Sequence, residues 1–281
     1  MFGFLNVYKP KGITSHDVVA QLRRATKIKQ IGHTGTLDPF AEGVLPVCIG
    51  KATRLIEYLD DDKEYLATVQ FGAITDTYDL EGDIVEHFDK KVTEEEVIEA
   101  LKSFEGEISQ TPPIYSALKV DGKKLYEYAR EGKTVDIKSR KVTIHKIELK
   151  SFDVEKQTAE ILVGCSKGTY IRSIANDLGK NLGCGGYLVN LIRTKAGKFF
   201  VENAIKDYTQ NVEQNLINPL EVLSLPTFKV SDIEHNKIIQ GQSFKKNSVE
   251  VNGFVILIYN DSVDAVAVVE DGIVKVKKVF L

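Results

Sequence analysis

The sequence predicts an α+β protein whose chain ends in a separate region of short strands. Three observations lead to this prediction. Capped segments with apolar residues three and four positions apart are typical of amphipathic helices. Segments that alternate between apolar and polar residues are typical of half-buried strands. After Pro226 the pattern changes to short β runs separated by Asn-Gly and Asp-Gly, which are typical turn sequences.

The predicted helices are recognised by a capping residue and an apolar face. One of them starts with a capping box, in which Thr93 is the N-cap and Glu96 the third helical residue. Its apolar face consists of Val97, Ile98, Leu101 and Phe104. Helices are predicted from Thr14 or Ser15, with Val18, Val19 and Leu22 on one face, to near Lys27; over 52–59; from Thr93 to about 104; and over 172–182 before Gly183.

The predicted strands fall into two groups. Strands of the first group are predicted at residues 5–8, 65–71, 141–149 and 159–163. Strands of the C-terminal region are predicted at residues 249–251, 254–259, 265–269 and 273–279. Residues 32–50 contain several glycines and prolines and are predicted to form a long ordered loop. Such loops in compact domains are more often functional than idle.

The composition is that of an ordinary globular protein, because 43% of the residues are hydrophobic and 27% are charged. No apolar run approaches the ~20 residues that cross a bilayer, and the first residues lack the features of a signal peptide. The three cysteines are scattered and fit no disulfide framework or Cys-x-x-Cys pattern. We therefore expect a cytoplasmic protein that makes no membrane contact.

Two kinds of site are excluded by spacing. The five histidines are never four residues apart or close to a cysteine, so no metal site is predicted. Gly43 and the pair Gly50-Lys51 suggest a phosphate-binding loop, but six residues separate them where the motif requires four. Ala52 also stands where the motif requires serine or threonine.

The charge is unevenly distributed along the chain. The net charge of −3 argues against a nucleic-acid partner, but residues 61–110 contain 15 acidic and only 4 basic residues, so the rest of the chain is net positive. Binding of a polyanion depends on local positive faces, because lysine and arginine displace counterions only where they touch phosphates. Charge alone nevertheless favours a solvated surface over RNA binding.

Asp38 lies in the most distinctive segment, residues 32–46. The glycines of this segment allow close approach of a ligand or a positive φ, and Pro39 restricts Asp38 to an extended conformation. A carboxylate is therefore presented from a stiff segment. An Asp-Pro pair by itself is more often an ordinary turn.

Several motifs occur in order across residues 5 to 195. They are Asn6-x-x-Lys9-Pro10-x-Gly12-x-Thr14-Ser15; Gly32 to Pro46 followed by Cys48, Gly50 and Ala52-Thr53-Arg54; Lys63-Glu64-Tyr65 followed by Thr75-Asp76-Thr77; Pro112-Pro113-x-Tyr115-Ser116-Ala117-x-Lys119 followed by Gly122, Lys124, Tyr126 and Ala129-Arg130; Ser166 to Ser173; and Leu191 with Arg193-Thr194. Together they resemble the motifs of the TruB-type tRNA pseudouridine-55 synthases. The C-terminal region resembles a PUA-type RNA-binding domain in position, size and strand pattern only.

The resemblance implies a pseudouridine synthase fold, with a mixed, mainly antiparallel sheet flanked by helices. It implies a catalytic domain at residues 1–225, with an RNA-clasping insertion at about 111–132, and a PUA-like β domain at 226–281. The catalytic residues that it implies are Asp38, Tyr65 and Arg172. The substrate-binding residues that it implies are His33, Lys9, Pro10, Tyr170, Leu191, Lys119, Lys124 and Arg130.

These implied residues are assigned separate roles. Asp38 is the catalytic carboxylate, and Arg172 keeps it ionised in a buried pocket where desolvation would raise its pKa. Tyr65 stacks on the flipped base and Leu191 closes its other side. Lys9 supports the pocket. Asp38 could attack C1′, add to C6 or remove a C2′ proton, and the sequence leaves the three routes open.

The function implied by the resemblance is isomerisation of uridine to pseudouridine at position 55 in the T loop of tRNA, by base flipping. The reaction breaks the N1–C1′ bond and rejoins the ring through C5. Nothing is oxidised and no group is donated, so we expect no cofactor. We expect the tRNA T stem-loop as the partner, no required protein partner and a monomer. A tRNA-folding role is a second expectation.

Two other functions compete with the isomerase. One is a non-catalytic RNA-binding or RNA-folding protein on the same scaffold. The other is a glycosidase-like enzyme that acts on a small nucleoside with a carboxylate as nucleophile or stabiliser. The basic residues of the segment 111–132 speak against the second alternative.

Overall fold

The structure is a computed structural model that describes residues 1–246 and 251–280. In chain order its strands are β1 (Gly3–Lys9), β2 (Ile31–His33), β3 (Glu42–Ile49), β4 (Lys63–Phe71), β5 (Ala73–Thr75), β6 (Ile84–His87), β7 (Gly106–Gln110), β8 (Lys119–Val120), β9 (Lys123–Lys124), β10 (Arg140–Asp153), β11 (Thr158–Cys165), β12 (Gly186–Ala196), β13 (Phe199–Phe200), β14 (Thr227–Lys229), β15 (Phe244–Lys245), β16 (Gly253–Tyr259), β17 (Ser262–Glu270) and β18 (Ile273–Val279). Its α-helices are α1 (Ser15–Thr26), α2 (Glu94–Leu101), α3 (Leu125–Arg130), α4 (Ile171–Leu182), α5 (Pro219–Val222) and α6 (Asp232–Ile239).

The main sheet is mixed and mainly antiparallel. Its strand order is β1-β3-β12-β4-β11-β10-β7, with β2 paired to β3 and β13 paired to β12. The pair β3–β12 is parallel, and the other pairs of this sheet are antiparallel. The α+β prediction, with a mainly antiparallel sheet flanked by helices, is confirmed.

Helices α2 and α4 cover one part of the main sheet. Strand β4 alternates, so that Tyr65, Ala67, Val69 and Phe71 are buried on one face. This face joins a core to which α2 and α4 contribute. Buried side chains of the two helices include Val97, Leu101, Ile171, Ile174, Ala175, Leu178 and Leu182.

The predicted helices have the predicted ends. Thr14 and Thr93 are the N-caps of α1 and α2, each with a complete capping box, and Gly183 ends α4 in the left-handed conformation. Residues Gly50–Tyr58 form a 3₁₀ helix in place of the predicted helix over 52–59. The prediction that Ile98 belongs to the apolar face of α2 is wrong, because its side chain is exposed.

The prediction of one long loop over residues 32–50 is wrong. Strands β2 and β3 occupy both ends of this segment, and seven of the eight residues of β3 are buried. Only residues 34–41 connect the two strands. Gly43 has a φ of +106°, and a Cβ there would lie 2.3 Å from the Arg193 carbonyl oxygen of β12. The glycine is therefore required by the close approach of the parallel strand β12.

The C-terminal region contains a second sheet with the order β14-β16-β17-β18-β15. The predicted strands at 254–259, 265–269 and 273–279 are confirmed. The predicted strand at 249–251 lies mostly outside the described residues. Helix α6 was not predicted. Within the described residues, no helix is both long and apolar enough to cross a bilayer.

Candidate active site

A cleft of about 670 Å³ opens where the turn at residues 34–39, the starts of β4 and α4, strand β12 and the segment 115–130 meet. Its lining is strongly basic. Asp38 is the acidic residue of the lining, and the basic residues are Lys63, Arg130, Arg140, Lys167, Arg172 and Arg193. A cleft that focuses positive charge in this way attracts polyanions.

The backbone on both sides of Asp38 is held by hydrogen bonds. Before it, the Ser15 hydroxyl accepts from the Leu37 N–H at 2.8 Å and donates to the Leu37 carbonyl at 3.1 Å. After it, the Pro39 carbonyl accepts from the Gly12 N–H at 2.8 Å and from Lys9 Nζ at 3.3 Å. These bonds give the carboxylate a fixed position at the cleft, as a positioned reactive group requires.

Arg172 forms a two-pronged ion pair with Asp38. Its Nε lies 3.0 Å from Asp38 Oδ2, and its Nη2 donates to Asp38 Oδ1 at 3.3 Å. Nη2 also donates to the Tyr115 carbonyl at 2.9 Å, and Nη1 donates to the Thr77 carbonyl at 3.2 Å. The Arg172 side chain is only 6% exposed, so these bonds satisfy a buried guanidinium.

A second carboxylate, Asp79, shares the same guanidinium. Its Oδ2 lies 3.3 Å from Arg172 Nη1, and its side chain is 4% exposed. The Thr77 hydroxyl donates to Asp79 Oδ1 at 2.6 Å. Asp79 was not among the predicted site residues. It lies two residues after Thr77, which ends one of the sequence motifs, and its closeness to that motif could have pointed to it.

The pKa of Asp38 is raised above its ordinary value because the cleft removes water from the carboxylate. The Arg172 guanidinium opposes this rise, Asp79 adds to it, and Lys9 opposes it more weakly. The side chain of Asp38 is still 35% exposed toward the cleft. Water and the ion pair therefore keep the pKa shift smaller than a fully buried carboxylate would show.

Tyr65 and Leu191 lie close together on neighbouring strands of the cleft. In the pairing of β4 with β12, Leu191 is opposite Ala67 and Arg193 is opposite Tyr65. Both Tyr65 and Leu191 line the cleft and are almost fully buried. Burial raises the pKa of Tyr65, and the Arg193 guanidinium partly opposes that rise.

Arg193 lies in a sequence motif that was expected to close the pocket and contact RNA, and it was given no catalytic role. It is 1% exposed. Its Nε donates to the Val44 carbonyl at 2.6 Å, and its Nη2 donates to the Gly35 carbonyl at 3.1 Å. The guanidinium thereby ties β12 to β3 and to the turn that carries Asp38.

The structure brings some of the predicted substrate-binding residues to the cleft and leaves others away from its lining. Tyr170, Leu191 and Arg130 line it together with Asp38, Tyr65 and Arg172. The residues outside the lining are His33, Lys9, Pro10, Lys119 and Lys124.

Lys9 and His33 have distinct environments beside the cleft. Lys9 is fully buried, and its Nζ donates to the carbonyls of Pro10, Ile13 and Pro39. Burial lowers the pKa of Lys9 to about 8, so the ammonium is retained at neutral pH. This arrangement fits support of the Asp38 turn. Burial also lowers the pKa of His33.

The segment 111–139 connects β7 to β10 and contains paired cations and tyrosines. Lys124 Nζ and the Arg130 guanidinium each lie 5.3 Å from the Tyr126 ring centroid, and Lys123 Nζ lies 4.8 Å from that of Tyr128. Such mixed surfaces bind loop RNA, in which phosphates and unstacked bases are both exposed.

The geometry defines what the site can do. The Asp38 carboxyl group, fixed by its own backbone and by Arg172, faces a basic cleft beside a buried tyrosine. In its ionised form this group can stabilise or trap positive charge at a sugar carbon. Among the described residues, no three histidine, cysteine, aspartate or glutamate side chains are grouped so that they could hold a metal ion.

Comparisons with known proteins agree with this geometry. Residues 23–171 match the family model described as TruB family pseudouridylate synthase, N-terminal domain. A relative named tRNA pseudouridine synthase B from Clostridium kluyveri is 44% identical over 254 residues, which are 88% of this chain and 87% of the relative. A relative of the same name from Carboxydothermus hydrogenoformans is 42% identical over 290 aligned positions, covering 100% of this chain and 99% of the relative.

The similarity extends to solved structures. A chain from the crystal structure of a Cbf5–Nop10–Gar1 complex superposes with a TM-score of 0.73 at 28% identity. The superposition covers 100% of this chain and 85% of that chain. The C-terminal sheet is therefore part of the similarity.

Proposed function

Because the chain belongs to the TruB family of pseudouridylate synthases, we propose that it isomerises uridine to pseudouridine at position 55 in the T loop of tRNA. The predicted family and fold are confirmed by the similarities above. The relatives are named for activity on tRNA. The observation that carries the proposal is the ion pair between Asp38 and Arg172 in a basic cleft.

Asp38 is the proposed catalytic group. The reaction breaks the N1–C1′ bond, turns the uracil, forms the C5–C1′ bond, releases the C5 proton to water and adds a proton to N1, so the overall composition is unchanged. An anionic group is needed at the junction of sugar and base, and Asp38 is proposed for this place because its side chain is partly exposed to the cleft. Attack at C1′, addition to C6 and removal of a C2′ proton all start from the ionised carboxylate.

Tyr65 and Leu191 are the proposed contacts of the flipped base. Both side chains line the cleft next to Asp38. Tyr65 offers an aromatic face on which uracil can stack. Its hydroxyl is proposed to help the C5 proton leave. Burial raises the pKa of this hydroxyl, and the Arg193 guanidinium partly opposes the rise.

The basic lining supports recognition of tRNA. The target uridine must leave its stack, at a cost of a few kcal/mol. Contacts of Arg130, Arg140 and Lys167 with phosphates would offset that cost, and Tyr170 and Tyr126 present aromatic faces in the same cleft. We propose that His33, Lys9, Pro10, Lys119 and Lys124 act around this cleft, with Lys9 as support for the Asp38 turn.

The domain assignment belongs to the same proposal. Residues 1–225 form the catalytic domain, with the RNA-clasping insertion at about 111–132, and residues 226–281 form a PUA-like domain. Asp38, Tyr65 and Arg172 meet within one chain, so the proposed site is complete without a second copy. We propose a monomer that acts in the cytoplasm without a protein partner. A role in tRNA folding is proposed as a second activity of the same RNA-binding surface.

Release of tritium from tRNA labelled at uridine C5 tests the proposal. Wild-type protein without added cofactor is expected to release tritium, and Asp38→Asn is expected to bind tRNA normally but release none. Asp264→Asn is the control, because it removes a buried carboxylate of the C-terminal sheet. Normal turnover by Asp38→Asn would remove this residue from the mechanism. A tRNA-folding effect that survives in Asp38→Asn would support the second role.

A further inference from the structure

The two residues that flank the segment 111–139, which contains the insertion, both contact the residue that caps helix α4. Gln110 ends β7, Arg140 begins β10, and the two residues are paired in the sheet. Gln110 Nε2 donates to the Tyr170 carbonyl at 3.0 Å, and Gln110 Oε1 accepts from the Tyr170 N–H at 2.8 Å. The Arg140 guanidinium lies 4.9 Å from the Tyr170 ring centroid and donates to the Gly168 carbonyl. Tyr170 is the N-cap of α4.

The first turn of α4 makes two further contacts with the start of the insertion. The Ser173 hydroxyl donates to the Thr111 carbonyl at 2.8 Å. Arg172 Nη2 donates to the Tyr115 carbonyl at 2.9 Å while it also holds Asp38. The segment that is proposed to clasp RNA is therefore bonded to the helix turn that presents the catalytic arginine.

Gln110 is the buried part of this connection. It is 1% exposed. The N–H groups at the N-terminus of a helix have no acceptor within the helix. The side-chain oxygen of Gln110 accepts the hydrogen bond from the Tyr170 N–H. Removal of this side chain leaves the Tyr170 N–H without its acceptor, which costs free energy and favours a shift of the Tyr170 backbone.

We propose that Gln110 is a positioning residue for the reaction, which fixes the N-terminus of α4 to the base of the insertion and thereby holds Arg172 against Asp38. The proposal rests on the proposed function, since it assigns Gln110 a role through the ion pair of that site.

Loss of the Gln110 side chain should change the pH dependence of the reaction rate, whereas partial unfolding should not. Five titratable groups interact with Asp38, namely Arg172, Asp79, Lys9, Glu81 and Tyr65. Arg172 is the main group that lowers the pKa of Asp38. If Arg172 moves away from Asp38, the pKa of the carboxylate rises further, and the acid limb of the rate–pH profile moves to higher pH. A smaller fraction of folded protein lowers the rate without moving the acid limb, provided that circular dichroism shows the same folded fraction at each pH.

The test compares Gln110→Met with Gln157→Met. Gln157 is also buried, and its side chain accepts from the Val92 N–H at 2.8 Å and donates to the Val92 carbonyl at 3.1 Å. Gln157 directly precedes the start of β11. The turn that leads to α4 follows the other end of this strand. The two variants therefore lose the same kinds of hydrogen bond, at different distances from Arg172.

Single-turnover rates and dissociation constants are measured with an unmodified tRNA transcript between pH 5 and 9. We expect Gln110→Met to slow the reaction at least about tenfold, since small misplacements of reacting groups have effects of this size. Its dissociation constant should change by less than about twofold, and its acid limb should move to higher pH. Gln157→Met should keep the wild-type rate and acid limb, even if its melting temperature falls equally.

The outcomes separate this inference from the proposed function. A Gln110→Met enzyme with the wild-type rate and acid limb, tested beside an inactive Asp38→Asn, overturns the positioning role alone. Equal losses of rate in the two glutamine variants, with unmoved acid limbs, also overturn it. An active Asp38→Asn overturns the proposed function itself.

Discussion

At the scale of single residues, the site depends on one guanidinium that is shared by two carboxylates. Arg172 lies within 3.3 Å of oxygens of both Asp38 and Asp79. Asp79 is the more buried of the two acids and receives a hydrogen bond from Thr77. Asp38 is the one that faces the cleft. Asp79 thus orients the arginine and raises the pKa of Asp38.

Asp79→Asn is predicted to slow the single-turnover reaction at least about tenfold, because the Arg172 guanidinium stays paired with Asp38 but loses the second carboxylate that fixes its orientation. The acid limb of the rate–pH profile should move to lower pH. The limb moves in this direction because the Asp79 carboxylate raises the pKa of Asp38. Removal of the Asp79 charge therefore lowers the pKa of Asp38. Asp38 then stays ionised, and able to react, to a lower pH than in the wild type.

Asp76→Asn is the control for this prediction. Asp76 lies in the same loop, and its carboxylate accepts from the Asp83 N–H at 3.0 Å. We expect it to keep the wild-type rate and acid limb. A wild-type profile for Asp79→Asn would show that Asp79 does not orient Arg172.

The sequence identified one of these two acids and missed the other for a physical reason. Asp38 stands between glycines and before a proline, so its local stiffness is visible in the chain. Asp79 lies in an acidic segment, where one more aspartate looks like solvated surface. Its burial results from contact with Arg172, which is 93 residues away, and no local pattern records such a contact.

At the scale of elements, the insertion carries cations that lie on tyrosine rings. Lys124 and Arg130 both approach Tyr126. A cation over an aromatic face gains modest free energy at an exposed site. The same cations are available to phosphates, while the ring remains a surface for an unstacked base.

The double variant Lys124→Gln and Arg130→Gln is predicted to weaken tRNA binding and to reduce its salt dependence. Each phosphate contact that is lost should lower the slope of log K against log salt by roughly 0.7 to 0.9. Filter binding over a salt series measures this slope.

Lys102→Gln provides the comparison, because Lys102 follows the acidic helix α2 and pairs with Glu99. Its slope should equal that of the wild type. An unchanged slope in the double variant would mean that these two cations contact no phosphate.

Local sequence determines some elements of this fold better than others. Helices α1, α2 and α4 were predicted because caps and apolar faces act within one or two turns. Strand β3 was missed because its glycine and proline resemble a loop. Gly43 is needed there for contact with β12, which comes about 150 residues later in the chain.

At the scale of the whole molecule, the C-terminal sheet shares a core with the main sheet. Phe4 and Val44 of the main sheet pack in one cluster with Ile256, Val266 and Phe280. At the edge of this contact Arg54 Nη1 donates to the Val279 carbonyl at 2.9 Å. The sequence predicted a change after Pro226 to short β runs separated by turns, but it contained no sign that the two regions pack together.

Phe280→Ala is predicted to destabilise both sheets together, by about 3 kcal/mol or more, because a buried phenylalanine leaves a cavity. Phe280 is 7% exposed, stacks on Phe2 and lies under Arg54. Calorimetry should show a single transition that moves to lower temperature as a unit.

Ile233→Ala is the control, because its side chain is 71% exposed. It should melt like the wild type. Two separate transitions in Phe280→Ala, of which only the smaller has moved, would show that the two sheets unfold independently.

The most direct test of the central claim is nucleotide-resolution mapping of pseudouridine in an unmodified tRNA transcript. The transcript is incubated with the wild type, with Asp38→Asn and with Asp264→Asn. One pseudouridine at position 55 is expected with the wild type and with Asp264→Asn, and none with Asp38→Asn. Pseudouridine at that position after incubation with Asp38→Asn, at the wild-type rate, would contradict the role of the Asp38 carboxylate.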